Sequence, residues 1–368
     1  MTTLPAAWSR TPAGKTRARG LGLALPGRPG ANNAITDVAG VEVGYATLIQ
    51  GQGLLQIGKG PVRTGVTAIF PRGRAKAGHA VWAGAHSLNG NGELTGAWWL
   101  EESGRCELAI TITNTHSCGT ARDATLQWAV RQGAGGQGPQ AGLAQDWGLP
   151  VAAETYDGHL SDINGFHVKP EHVFQALDGA QGGPIEEGAV GGGTGMVCYG
   201  FKGGSGTASR LVEEAGRWTL GCFVQANFGR MPELTVLGRP VGRQLSGGTE
   251  LKGAGSIIVV LATDAPLLPH QLKRLARRAT LGIARTGTIG HNSSGDIFLA
   301  FTTANGAALL PAERPIAVET LPEEKLDGLF QAAVESVEEA ILNALVANEP
   351  MTGRDGHRVE ALPHAALR

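Results

Sequence analysis

The sequence is poor in cysteine and carries almost no net charge. The formal net charge of −1 provides no excess of positive charge that would indicate binding to nucleic acid or to an anionic membrane. The spacing of the cysteines excludes a disulfide framework and argues against a zinc site, because no two of them form a CxxC pair, and it suits reduced thiols. Among the 368 residues there are only four: Cys106, Cys118, Cys198 and Cys222.

Long apolar runs are also missing. No window approaches the ~18 apolar residues that a membrane helix requires. The basic N-terminal segment, residues 1–27, has no apolar stretch long enough for a signal peptide. With 42% hydrophobic and 17% charged residues, the composition is that of an ordinary globular enzyme. We therefore expect a cytoplasmic protein whose partners include neither nucleic acid nor a membrane.

Several familiar catalytic motifs are absent as well. The sequence has no GxSxG elbow and no HExxH motif, so neither an α/β-hydrolase serine nor a zinc-protease site is indicated. The glycine-rich segment 188–206 matches neither GxGxxG nor GxxxxGK[ST], which favours tight turns over a phosphate loop. A Ser-His-Asp triad stays open, although none of the ten histidines is singled out.

Glycine is abundant, and short strand-like runs stand between its clusters. Helices are predicted at residues 119–133, ended by Gly133, and from Pro269 onwards; a last helix is predicted behind a capping box of Thr320 and Glu323. Strands in neighbouring runs, with the helices set apart, predict a layered α+β fold in one compact domain. The last helix has an apolar stripe typical of a buried face: Leu326, Phe330, Val334, Val337, Ile341 and Leu345.

One junction raises a chemical question. In ELKGAGSIIVVLATDAPLL, residues 250–268, a glycine-rich polar loop passes directly into a β-branched strand at Gly255-Ser256. A serine nucleophile needs a general base, and a free α-amino group, with a pKa of about 7.7 to 8.0, suits that task better than lysine. A cut before Ser256 would place nucleophile and base on one residue. Glycine on the acyl side minimises crowding during such a cut.

The residues alone leave an alternative open. Glycine also precedes serine or threonine at Gly193, Gly204, Gly206 and Gly248. An ordinary loop-to-strand junction at Gly255 would have the same composition.

Longer motifs resolve this choice through a family resemblance. From about residue 18 to about residue 346, the chain resembles the L-aminopeptidase/D-esterase (DmpA) family of self-processing serine aminopeptidases, which also holds the β-peptidyl aminopeptidases. The collinear motifs that carry the resemblance are NAITDVAGVEVGYATL, GKGPVRTGVTAIFPRG, NGNGELTG, TNTHS, DWGLPVAAETYDGHLSDING, GAVGGGTGMVCYGFKGG, GCFVQANFG, GSIIVVLATDAPLLPHQLKRLARRATLGIARTG and GHNSSGDIFLAFTTAN.

The resemblance implies a precursor that cuts itself between Gly255 and Ser256 into an α chain, residues 1–255, and a β chain, residues 256–368. It implies a single domain over residues 1–368 that folds as a four-layer αββα sandwich. This architecture is similar to that of N-terminal-nucleophile hydrolases but is differently connected. The family also implies a homotetramer of cleaved αβ heterodimers.

Four residues are implied to act in catalysis. Ser256 matches the nucleophile. Ser294 and Asp296, in NSSGD, match the positions that accompany it, where a hydroxyl can relay a hydrogen bond whose direction a carboxylate fixes. Asn227, in QANFG, matches the oxyanion-hole donor. By residue type alone, capping a turn is the favoured role for these last three side chains.

Three further residues are implied to bind the substrate. Glu154, in AETYDG, matches the carboxylate that receives the substrate's free ammonium, with which an acylated amine could not pair. Trp147 and Tyr156 match neighbours that line the same pocket. Aromatic core packing is the alternative for both.

The implied reaction is acyl transfer to water from short peptides, amides or esters with a free amine, with no metal or organic cofactor. We expect an L-α-aminopeptidase with D-Ala esterase and amidase activity, which Asp296 favours because β-peptidyl members can carry Glu there. The first alternative is a β-peptidyl aminopeptidase. The others are an acyltransferase of the ornithine acetyltransferase type, which cleaves before threonine, and a non-enzymatic scaffold with a dead site.

Self-cleavage before Ser256 is testable by intact mass under denaturing conditions. The 38.0 kDa chain should give fragments of about 26 and about 12 kDa, scaled by length. Ser256→Ala should stay whole, because it lacks the attacking hydroxyl. A single full-length species in an active wild-type preparation would contradict an N-terminal nucleophile.

Overall fold

The computed structural model describes residues 4–134, 143, 147–249, 255–310 and 312–368. In these ranges the helices are α1 (Ala6–Ser9), α2 (Ala97–Ser103), α3 (Cys118–Ala134), α4 (Pro170–Asp178), α5 (Pro269–Arg285) and α6 (Asp327–Val346). The strands are β1 (Glu42–Gln50), β2 (Val62–Phe70), β3 (Val81–Gly90), β4 (Arg105–Cys106), β5 (Ile110–Asn114), β6 (Ala152–Thr155), β7 (Val197–Cys198), β8 (Phe201–Lys202), β9 (Gly204–Glu213), β10 (Arg217–Asn227), β11 (Ser256–Thr263), β12 (Gly295–Thr302), β13 (Met351–Thr352) and β14 (Arg358–Val359). No helix in these ranges is long and apolar enough to cross a membrane.

Most strands belong to two sheets. One has four strands in the order β1-β2-β5-β6, and the other has six in the order β4-β3-β12-β11-β10-β9. Neighbours within these sheets are antiparallel, except for the parallel pairs β5–β6 and β11–β12. Parallel strands need a crossover connection, and α5 supplies it between β11 and β12.

The two sheets pack face to face, and helices cover their outer faces. Ile258, Val260 and Leu299 point into the core between the sheets. On the outer side of the four-stranded sheet, a second core lies beneath α3 and α4, and a third lies between the six-stranded sheet and α5 and α6. The expected four-layer αββα sandwich is confirmed.

The last helix is buried on nearly all sides. Its expected apolar stripe is confirmed, since every member is buried, but Glu335, Glu338 and Glu339 are buried too. Arg285 of α5 pairs with Glu338, and the N-terminal arm and β9 supply the counter-charges of Glu339: Arg19 and Arg210 each approach it at 2.8 Å. Such pairing is what allows carboxylates to lie inside a core, and it fixes the irregular arm against α6.

The start predicted for the last helix and the end predicted for α3 both differ from the structure. The Thr320 hydroxyl donates to the side-chain oxygen of Gln271 at 2.9 Å, and the Gln271 amide donates to Glu323 at 2.9 Å. Both members of the supposed capping box are therefore bound by α5, and α6 begins further along the chain. Helix α3 also continues through Gly133 instead of ending there.

Three strand ends meet at one end of the six-stranded sheet. β10 finishes at Asn227, β11 begins with Ser256 and β12 begins with Gly295. The register pairs Ser256 with Asn227 on one side and with Gly295 on the other. Because β10 runs opposite to the parallel pair, its last residue lies beside their first residues. The fold thus assembles residues that are far apart in sequence.

Candidate active site

Ser256 is the first residue of β11 and is 7% exposed. Side chains alternate along a strand, so Ser256 shares the face of Ile258 and Val260, which lie between the sheets. Its Oγ accepts a hydrogen bond from the Gly295 N–H at 3.2 Å. A hydroxyl that accepts through its oxygen keeps its own proton free to pass to a base. This geometry suits a nucleophile.

A hydroxyl and a carboxylate flank Gly295. The Ser294 hydroxyl donates to Asp296 Oδ1 at 2.6 Å, and the Asn89 amide donates to Oδ2 at 3.0 Å. Burial raises the pKa of Asp296, while the bonds from Ser294 and Asn89 oppose that rise. The carboxylate therefore fixes the direction of the Ser294 O–H and leaves its lone pairs to accept from another donor.

The Asn227 amide is held at both ends. Its Oδ1 accepts from the Val197 N–H at 2.8 Å, and its Nδ2 donates to the Tyr156 carbonyl at 2.9 Å. The Val197 bond sets the orientation of the amide, since an N–H can pair only with the oxygen end. An amide nitrogen carries two hydrogens, so the second N–H of Asn227 can serve a developing oxyanion.

Gly255 lies directly against Asn227. A Cβ added at position 255 would overlap the Asn227 carbonyl oxygen and would lie 3.1 Å from its Nδ2. Only glycine fits such an approach. The contact holds the acyl side of the Gly255-Ser256 peptide next to the amide that could stabilise its oxyanion.

Glu154 reaches the site from β6 in the other sheet and is 2% exposed. One carboxylate oxygen accepts from the Glu93 N–H at 3.1 Å, and the other accepts from the Thr115 hydroxyl. Burial raises the pKa of Glu154, and these two hydrogen bonds oppose the rise. Among the described residues, no lysine or arginine pairs with this carboxylate, so it can receive the ammonium group of a ligand.

Gly92 lies next to both Glu154 and Gly295, the first residue of β12. A Cβ at Gly92 would lie 3.1 Å from Glu154 Oε1 and 3.4 Å from the Gly295 Cα. The carboxylate and the start of β12 therefore flank one glycine. A cavity of about 720 Å³ continues from this point, with Leu94, Trp98 and Ile297 in its wall. The cavity thus opens beside the segment that hydrogen-bonds Glu154.

The two predicted aromatic residues are half-exposed. The Tyr156 ring folds over Gly158, and its carbonyl receives the Asn227 amide. The structure thus brings Tyr156 into the site through its backbone. The ring contact of Trp147 is an edge-on approach to Trp99, with 5.8 Å between ring centroids. A place for Trp147 beside the substrate stays a prediction.

Sequence reasoning missed the side chains that orient the carboxylates. Asn89 holds Asp296, and Thr115 holds Glu154. Both lie in motifs that carry the family resemblance, NGNGELTG and TNTHS. The signal was therefore present, but the partners of these residues are set by contacts between distant segments.

Two buried titratable groups lie close to the site in the chain. Burial raises the pKa of Asp157, next to Tyr156, to about 7, and it lowers the pKa of Lys202 to about 7. Lys202 donates to the carbonyls of Met196 and Gly203 at 2.9 and 2.7 Å. It thereby stiffens the turn whose next N–H orients Asn227.

The groups assembled here are hydroxyl, amide and carboxylate. In the part of the chain that the structure describes, no group of three or more histidine, cysteine, aspartate or glutamate side chains could hold a metal ion. A hydroxyl beside an amide donor and a hydroxyl–carboxylate pair can carry out acyl transfer.

Gly255→Ala should block or strongly slow self-cleavage, because the added methyl group would overlap the Asn227 carbonyl. Intact mass over time would follow the 38.0 kDa species. The matched control is Gly119→Ala in α3, where nothing lies within 4 Å of the added carbon. Cleavage of Gly255→Ala at the rate of the control would contradict the proposed contact.

Comparison with known proteins agrees with this geometry. The family model of peptidase family S58 matches residues 33–359. The chain is 54% identical to the β-peptidyl aminopeptidase BapA of Sphingosinicella microcystinivorans, over 96% of this chain and 91% of that protein. It is 44% identical to BapA of Sphingosinicella xenopeptidilytica, over 95% and 90% of the two chains.

Two solved structures are also similar to this chain in both fold and sequence. The L-aminopeptidase D-Ala-esterase/amidase of Ochrobactrum anthropi, a variant of the Ntn hydrolase fold, superposes with a TM-score of 0.87 at 49% identity, over 95% of this chain and 96% of that one. A β-aminopeptidase of Burkholderia superposes with a TM-score of 0.86 at 47% identity, over 96% and 97%. The chain therefore belongs to peptidase family S58 and is a serine aminopeptidase of the N-terminal-nucleophile type.

Proposed function

We propose that the chain cuts itself between Gly255 and Ser256 and then acts as a β-peptidyl aminopeptidase through the new N-terminal serine. The juxtaposition of Ser256, Asn227 and the Ser294–Asp296 pair supports the catalytic part of this proposal. The 54% identity to BapA over 96% of the chain carries the choice of substrate class.

Self-cleavage begins with attack of Ser256 Oγ on the Gly255 carbonyl carbon. The hydroxyl proton moves to the Ser256 nitrogen as the peptide C–N bond breaks, which leaves Gly255 attached to Oγ as an ester. The Asn227 amide, next to Gly255, stabilises the negative charge on the carbonyl oxygen during the attack. Water then hydrolyses the ester, and Gly255 leaves as a carboxylate while Ser256 keeps a free amine.

Peptide hydrolysis repeats the same chemistry with a bound substrate. The Ser256 amine takes the Oγ proton, and Oγ attacks the carbonyl carbon of the substrate's first residue. Asn227 holds the oxyanion, and Ser294, oriented by Asp296, accepts from the newly formed ammonium. That proton passes to the leaving amine as its C–N bond breaks. Water then attacks the acyl ester and releases the free amino acid.

Selection for a free N-terminus comes from Glu154. The buried carboxylate has its own hydrogen bonds to Thr115 and Glu93 but no cationic partner among the described residues. A substrate ammonium completes the charge pair, whereas an acylated amine leaves a buried charge unpaired, which costs several kcal/mol. The site therefore acts on the first residue of a chain and not on internal bonds.

Substrates that begin with an α-amino acid and substrates that begin with a β-amino acid differ in one backbone carbon. A β-amino acid places one extra carbon between amine and carbonyl, so the preferred class depends on the reach between Glu154 and Ser256. The second candidate is the L-α-aminopeptidase with D-Ala esterase and amidase activity. Asp296 favours it, as does the 49% identity to the Ochrobactrum anthropi enzyme. A homotetramer of cleaved αβ heterodimers stays a prediction under either function.

Glu154→Gln should lower kcat/KM by about 30-fold or more, because removing one partner of a buried charge pair costs at least about 2 kcal/mol. The loss should lie mainly in KM. Self-cleavage, followed by intact mass, should be unaffected, since the Gly255-Ser256 peptide has no ammonium to bind. A wild-type kcat/KM in a folded, cleaved variant would remove Glu154 from the binding site.

A panel of p-nitroanilides tests the substrate class. β-Homoamino acid, L-amino acid and D-alanine anilides would be compared by kcat/KM, each with its N-acetyl derivative as the matched control. We expect the highest kcat/KM for the β-homoamino acid and no turnover of any acetylated compound. Higher kcat/KM for L- or D-residues would select the second candidate, and turnover of acetylated anilides would contradict the role of Glu154.

A further inference from the structure

The turn that carries Ser294 is held by the backbone of His291. The His291 carbonyl accepts the Ser294 N–H at 2.9 Å and the Asn89 amide at 3.2 Å. Asn89 also donates to Asp296, so one amide side chain ties this turn to the carboxylate. The position of the Ser294 hydroxyl over Asp296 therefore depends on where His291 lies.

The His291 side chain faces a carboxylate in a buried setting. It is 9% exposed, and its Nε2 lies 3.0 Å from Glu233 Oε1. This nitrogen makes no directed hydrogen bond, so the contact with Glu233 is an electrostatic pairing. A pairing of this kind holds the turn against Glu233.

Glu233 is itself fixed in place. Its Oε2 accepts the Arg230 N–H at 3.1 Å, and the Thr235 N–H donates to the Thr286 carbonyl at 2.8 Å. Gly287, with φ of +107°, backs onto this segment so closely that a Cβ there would overlap the Glu233 carbonyl oxygen. These contacts fix the position of the segment around Glu233, and His291 packs against it.

We propose that His291 is a positioning residue for the Ser294–Asp296 pair and that Glu233 holds it in place. This inference rests on the proposed function, since it concerns the same site. Glu233 would belong to the α chain and His291 to the β chain. The ion pair would therefore join the two products of self-cleavage at the catalytic turn.

The charge on His291 also reaches the reacting groups. Burial is the main cause that raises the pKa of Asp296, and the imidazolium of His291 counteracts it. Glu233 is the counter-charge that faces His291. The other neighbours of these groups stay uncharged near neutral pH: the Ser294 hydroxyl, the Asn89 amide, the Ile257 N–H and the Tyr199 hydroxyl, whose pKa burial raises well above its usual value.

Removal of the imidazolium should move the acid limb of the kcat profile to higher pH. Without the cation, the Asp296 carboxyl keeps its proton to higher pH, and so does the α-amine of Ser256. As the pH falls, the Asp296 carboxylate and the neutral Ser256 amine are then protonated at a higher pH, so both changes move the acid limb in the same direction. The profile of kcat is the one to measure because it reports on groups in the substrate complex. A merely structural role would lower kcat without moving this limb.

The test compares His291→Asn and Glu233→Gln with His270→Asn as the matched control. Gln at position 233 can keep the oxygen that accepts the Arg230 N–H, and it replaces the oxygen that faces His291 with an uncharged NH2 group. The control removes a histidine from the exposed pair with Glu323, where the two side chains lie 3.2 Å apart. Circular dichroism and thermal unfolding establish that each variant is folded.

For His291→Asn we expect a kcat about 10- to 100-fold lower, as for a small displacement of a catalytic group, with the acid limb at higher pH and KM little changed. Glu233→Gln should lower kcat by less, because it loosens His291 without removing it, and the control should match the wild type. Wild-type kcat and pH profile in both folded variants would overturn the proposal. So would a lower kcat with an unmoved acid limb.

Two outcomes require a further measurement. If His291→Asn does not fold, His291→Gln takes its place under the same criteria. If the wild type turns over no substrate of the panel, the proposed function fails on its own account. The rate at which a serine-directed fluorophosphonate labels Ser256, followed by intact mass across pH, then compares the same variants, and equal rates in all of them would overturn the role of His291.

Discussion

The parallel pairing of β11 with β12 is the constraint on which the site depends. It sets Ser256 opposite Gly295, with Asn227 on the other side in the antiparallel register. The Ser294–Asp296 pair flanks Gly295, so the same register delivers the accompanying hydroxyl and carboxylate. A slip of one residue would turn Ser256 away from the space between the sheets. The helices that bury the outer face of this sheet therefore protect catalytic geometry as well as stability.

Close backbone approach is the second constraint, and it explains part of the glycine excess. Gly255 fits against Asn227 only because it has no side chain, and a Cβ on Gly92 would crowd the Glu154 carboxylate. These glycines let the backbone approach Asn227 and Glu154 closely.

Part of this arrangement could be predicted from the sequence. The layered α+β fold and the buried stripe of the last helix follow from local patterns, and the junction before Ser256 stands out as a loop that enters a buried strand. The capping box at Thr320 failed because Gln271, distant in sequence, binds both its members. Asn89 and His291 were missed for the same reason: their effect depends on partners that only the folded chain brings near.

The most direct test of the central claim is to find where the acyl group of a substrate becomes attached. The enzyme would be acid-quenched during turnover of a p-nitrophenyl ester with a free amine, and fragment masses followed by peptide sequencing would locate the adduct. The account predicts an acyl group on the fragment that begins with Ser256, and on that residue itself. An adduct on Ser294, on another serine or on the fragment that ends at Gly255 would contradict it.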